Sequence, residues 1–164
     1  MPTHERYMAS VIDNAEYVAR AIFAPAMVDR AGNVSAAAFS LRHNEGYLSV
    51  ARMSVAGWID DIKSIPETPE RRLDGYCKMN VGDIRHQCIS IREDRVSLDV
   101  IDKATPGNKS HAGITVSIKA RQLKGDKTLI LKPLEAGMVA SVIMAKVQSR
   151  LAEIAGENYV RLIT

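Results

Sequence analysis

The sequence predicts an α+β fold: a mostly antiparallel sheet with a short central helix and a long C-terminal amphipathic helix packed on one face. Three observations carry this expectation. Short alternating apolar runs fill most of residues 34–132, polar turns separate them, and one stretch of helical period, residues 134–154, follows them all. Strands followed by a single long helix suit an antiparallel sheet covered on one side, and they lack the strand and helix alternation of a doubly wound fold.

In chain order, residues 13–24 fit either a helix, through Val18, Ile22 and Phe23, or a strand over 17–23, and Pro25 ends either one. Residues 29–33, DRAGN, form a turn. Residues 34–42 and 47–53 alternate as a hairpin around Asn44 and Glu45. Residues 54–65 read as a short helix with Ser54 as N-cap and Val55, Trp58, Ile59 and Ile62 inward. PETPERRLDG, residues 66–75, carries two prolines and alternating charges and is expected as a surface loop. Strands are expected at 76–81, 88–92, 96–101, 112–119 and 128–132, the second and third joined as a hairpin through Glu93 and Asp94. The final helix places Leu134, Met138, Val142, Ala145, Leu151 and Ile154 near one stripe.

With 164 residues and no linker or repeat, the chain is expected as one domain, residues 1–164. Its 46% hydrophobic and 25% charged residues place it among globular proteins rather than disordered or collagenous ones. The first 25 residues interleave Glu5, Arg6, Asp13, Glu16 and Arg20 with apolar residues, and no apolar run reaches the roughly 18 residues of a membrane span. The expectation is a cytoplasmic protein with reduced thiols and no membrane partner. The net charge of +3 is unevenly spread: residues 103–132 hold seven Lys and Arg against one acid, Asp126.

The hairpin register pairs Leu41 with Leu48, Phe39 with Val50, Ser40 with Ser49 and Arg42 with Tyr47. That puts Phe39, Leu41, Leu48 and Val50 on one face. Ser40, Arg42 and Ser49 share the other, with Glu45 at the tip and Arg52 at the far end of the apolar face. An arginine fork with neighbouring hydroxyls suits a phosphate or carboxylate. A solvated outer face with an Arg42–Tyr47 pair explains the same pattern.

RAIFAP, VSAAAFSLRHNEGYLSVAR and SHAGI together resemble a group of small uncharacterised bacterial proteins. Their pattern runs Arg, Pro, Phe, Glu, Leu-Ser-Val and later His-Ala. It falls here on Arg20, Pro25, Phe39, Glu45, Leu48, Ser49, Val50, His111 and Ala112, across roughly residues 17 to 118. A proline that follows the Phe-Arg step in that pattern is absent from FSLRHN. The resemblance implies an accessory role, in a defence or toxin-related system, and assigns no activity.

His111 follows a glycine-containing loop and opens an apolar strand, a position suited to acid/base work or phosphate contact, or to an ordinary loop histidine. Cys77, His86, Cys88 and His111 lack the close pairs of common zinc sites, so no metal is expected. Neither phosphate-loop nor dinucleotide glycine patterns occur, nor G-x-S-x-G, nor H-E-x-x-H, and no motif names a cofactor. Within the basic segment, Lys119, Arg121, Lys124 and Lys127 suit an acidic protein or nucleic acid. No aromatic residue lies there to stack bases, and a solvated basic hairpin fits equally.

Two functions are therefore expected from sequence. One is a partner-binding protein that meets an acidic partner through the basic segment. The other is an enzyme acting on a nucleotide or other phosphorylated small molecule. In that case Arg20, Arg42 and Arg52 hold phosphate, Ser49 orients the ligand, and Glu45 or His111 carries the proton.

Overall fold

The computed structural model describes residues 10–40, 46–91, 94–119, 128–130, 137–156 and 158–162. The strands are β1 (Tyr17–Ala24), β2 (Tyr47–Arg52), β3 (Arg72–Asn80), β4 (Ile89–Ile91), β5 (Asp94–Asp102), β6 (His111–Lys119), β7 (Thr128–Ile130) and β8 (Tyr159–Arg161). Among the described residues three α-helices accompany them: α1 (Trp58–Lys63), α2 (Val81–Arg85) and α3 (Gly137–Ala155), with a 3₁₀ turn at Ala36–Phe39. Seven strands lie side by side in the order β4-β5-β6-β2-β1-β3-β8, and β7 pairs with β6. Every pairing is antiparallel.

This corrects the expected fold class. The chain is mostly a curled antiparallel sheet resembling half a barrel, with short helices, rather than a sheet beneath one long helix. Helices α1 and α2 have six and five residues, and the described side chains of α3 span 14 residues, 142–155. The physical reason is that the sheet supplies most of its own cover. Curling brings Val18 and Ile22 of β1, Leu48 and Val50 of β2, Cys77 and Met79 of β3, Val96, Leu98 and Val100 of β5, and Ile114 and Val116 of β6 into one core. Ile143, Val147 and Leu151 of α3 join it. The opposite face is not simply solvated, since Ala19, Ala21, Phe23 and Ala51 form a second core with Ile62 of α1.

The expected hairpin is also overturned. Residues 36–39 are a 3₁₀ turn, with Ala38 and Phe39 buried, and β2 pairs with β6 and β1 instead. An alanine run with one aromatic anchor can bury itself as a turn, and β6 offers β2 a longer apolar partner. Leu48 and Val50 still face the large core, and Ser49 the other side. Strand β3 begins at Arg72, inside the expected loop, and the helix expected from Ser54 begins at Trp58 after Gly57, whose φ of 85° only glycine adopts freely. Strand β8 was not expected. It is pinned to β3 by Asp74, which accepts from the Tyr159 hydroxyl and meets Arg161 at 3.4 Å.

Partly buried and exposed polar groups stitch the N-terminal segment to this frame. Glu16 receives Arg52 at 2.9 Å, Ser54 Oγ at 2.6 Å and the Asp13 amide at 2.9 Å. Arg52 also reaches Ser10 Oγ at 2.7 Å, and Ser10 donates to Asp102 through both its amide and its hydroxyl. Arg85 spreads its fork over Asp99, Ile12 O, Asn14 and Val100 O.

Burial, the largest single influence on Glu16 and Asp102, pushes both carboxyls upward. The hydrogen bonds and the Arg52 charge together outweigh it, so both lie below their ordinary values of 4.5 and 3.8. A depressed folded value means that the unfolded chain binds more protons. The stabilisation is therefore complete above the ordinary values and is lost as pH falls through the depressed ones. Glu16→Gln is expected to lower stability at pH 7 by about 1–3 kcal/mol. It should also flatten the fall in stability below pH 4.5, read by urea unfolding across pH. An unchanged acid slope would contradict this role.

Candidate functional site

The site forms where the sheet opens. Strand β1 pairs with β3 over eight residues but with β2 only at Val18↔Arg52 and Ala19↔Ala51. Past Ala19 the strands part, and the side chain of Arg20 occupies the opening. Its Nε donates to Ala38 O and its NH1 to Ser49 O, each at 2.9 Å. A planar fork of donors thus meets one carbonyl of β2 and one of the 3₁₀ turn. Cys77 stands directly across β1 from Arg20. Burial pushes its thiol up to about 12, against the pull of the Arg20 charge, so it stays protonated near neutrality.

On the smaller-core side of this opening lies a cavity of about 420 Å³. Ala19, Ala21, Phe23 and Ala51 form its floor, Ile62, Ile65 and Pro66 an apolar wall, and Arg20, Ser49, Asp61, Arg71, Asn108 and His111 its polar lining. The strand register explains one polar pair. Ala51 lies opposite His111 and Ser49 opposite Gly113, so Ser49 and His111 are diagonal neighbours on one face. Ser49 Oγ lies 3.3 Å from His111 Nε2. Tyr47 sets its ring edge-on to the imidazole, centroids 5.7 Å apart, and Lys103 Nζ lies 4.9 Å from the same tyrosine ring.

Loops deliver the rest. The Thr68–Arg71 turn brings the Arg71 guanidinium over the Phe23 ring at 3.8 Å. Asp61 of α1 accepts from Ser110 Oγ at 2.5 Å, anchoring the helix to the start of β6. The Thr105–Asn108 turn carries Asn108. Among the described residues the lining presents two guanidiniums, an imidazole and one carboxylate, with an apolar floor beneath. That combination suits an anionic group attached to an apolar body.

Of the residues singled out from sequence, Arg20, Ser49 and His111 share this cavity. Arg52, expected to hold ligand phosphate, is not among them: it donates to Glu16 and Ser10. Arg42 and Glu45 lie outside the described residues, as do Arg121, Lys124 and Lys127. Lys119 ends β6, its backbone paired with Arg95 and Thr128. Asp61, Arg71 and Asn108 were missed by sequence reasoning. Arg71 sat in a segment read as a solvated loop, and nothing in the spacing of the three links them. Among the described residues, no cluster of three or more His, Cys, Asp or Glu side chains could hold a metal ion.

Gly113 is where the backbone must make room. A Cβ there would lie 2.7 Å from the Tyr47 ring and 2.9 Å from its Cβ, too close for either to stay. Gly113→Ala is expected to displace Tyr47 from His111, costing about 1–3 kcal/mol of stability and shifting the His111 ring resonances in NMR spectra. Unmoved resonances would contradict the packing described. The chain matches no family model, no curated protein and no solved structure, so the geometry of the site carries the functional reading.

Proposed function

We propose that this protein binds a small organic anion, phosphorylated or carboxylated, in the cavity between β1, β2, α1 and the Thr105–Asn108 turn. The observation that carries the reading is the convergence of Arg20, Arg71, His111 and Ser49 on one cavity with an apolar floor. Its volume of about 420 Å³ falls within the roughly 300–1,000 Å³ of small-molecule sites. Arg71 and His111 face the anionic group, while Arg20 holds the site's frame through its two carbonyl bonds.

A second reading, turnover of the bound molecule, is favoured by the Ser49–His111 pair at 3.3 Å. A hydroxyl beside an imidazole is the arrangement that activates an oxygen nucleophile, and such contacts tighten when ligand binds. Partner binding through residues 103–132 is supported by their sequence charge alone.

Calorimetric titration with a panel of aryl and alkyl phosphates and carboxylates tests the proposal. Wild type is expected to bind members of the panel. Arg71→Met and His111→Gln should each weaken them about 10- to 100-fold, the worth of one charge-assisted hydrogen bond. Turnover, where it accompanies binding, should vanish in Ser49→Ala while binding remains. No binding to any member, or variants that bind unchanged, would overturn the reading.

A further inference from the structure

We propose that the ligand carries a hydrogen-bond donor, an amine, amide or hydroxyl, in addition to its anionic group, and that Asn108 Oδ1 receives that donor. This inference rests on the anion-binding reading and narrows its ligand. Asn108 lines the cavity, and its Oδ1 is buried without a hydrogen-bond partner among the described residues. A buried amide oxygen left without a donor is costly, and nearly all such groups in folded proteins are satisfied.

The backbone of the turn that carries it is already committed. Asn108 N donates to Thr105 O at 3.0 Å, and Asn108 O accepts from Thr105 N at 3.1 Å and from His111 N at 3.3 Å. The residue is thereby tied to the start of β6, two positions from Ser110, whose hydroxyl fixes Asp61. Asp61 adds a second acceptor to the same lining. A purely anionic ligand would leave Asn108 Oδ1 unmet and face the Asp61 carboxylate. A ligand bearing both an anion and a donor answers the cations and the acceptors together. The chemical class is therefore an amino-, amido- or hydroxyl-bearing organic anion with an apolar body, an amino acid or an amine-bearing phosphate ester among its simplest forms.

Two matched pairs of probes test this by calorimetry. One pair is 4-aminophenyl phosphate against 4-methylphenyl phosphate, whose methyl has the size of the amine. The other is phenylalanine against 3-phenylpropionate, with the donor beside the anion. In at least one pair the donor-bearing member is expected to bind wild type about 10-fold more tightly, as one satisfied buried acceptor implies. The advantage should disappear in Asn108→Leu and survive in Asn108→Asp, which keeps an acceptor. Equal affinities within both pairs would overturn the donor while leaving the anion reading standing. An advantage that persists in Asn108→Leu would overturn the assignment to Asn108. Failure of all four probes to bind would overturn the anion reading beneath it.

Discussion

The guanidinium of Arg20 sits where β1 and β2 stop pairing, and the site around it depends on that placement. An opening in a sheet exposes backbone carbonyls, and carbonyls removed from both the ladder and water cost free energy. Arg20 answers Ser49 O at this edge and, with the same fork, Ala38 O of the 3₁₀ turn beside it. The bond to Ala38 docks the 3₁₀ turn that sends Phe39 into the large core. The other fixes the main chain of Ser49, whose side chain then meets His111 on the opposite face. One side chain thus couples the core to the polar lining of the cavity.

The two faces of the sheet do different work. The face that curls inward is filled by branched and aromatic residues and carries stability. The other is floored by Ala19, Ala21 and Ala51. Side chains that small leave room between the sheet and α1, and the loops bring charge into that room. The cavity therefore follows from small residues on strands and long ones on loops, the usual division between a rigid scaffold and a functional rim.

The strands were largely legible because each alternates over a few residues: β5 and β6 lie within one or two residues of their expected bounds. The architecture was less so. Curl is a property of the whole sheet, and the alanines of the second face carry too little hydrophobic signal to announce a core. The hairpin around Glu45 failed because alternation shows which residues share a face and leaves the partner strand open, and β2 found β6. For the site, Ser49 and His111 were visible as a hydroxyl and an imidazole on or beside apolar strands, and Arg20 as an arginine within an apolar run. Asp61, Arg71 and Asn108 come from a helix and two turns far apart in sequence. Only the fold brings them together.

The claim that Arg20 holds the opening is tested most directly by amide hydrogen exchange in Arg20→Met, which keeps the length of the side chain and removes its donors. The account predicts faster exchange at Ala38 and Ser40, the amides that close the 3₁₀ turn, with the β5–β6 ladder protected as in wild type. Equal protection of the turn in the two proteins would contradict it.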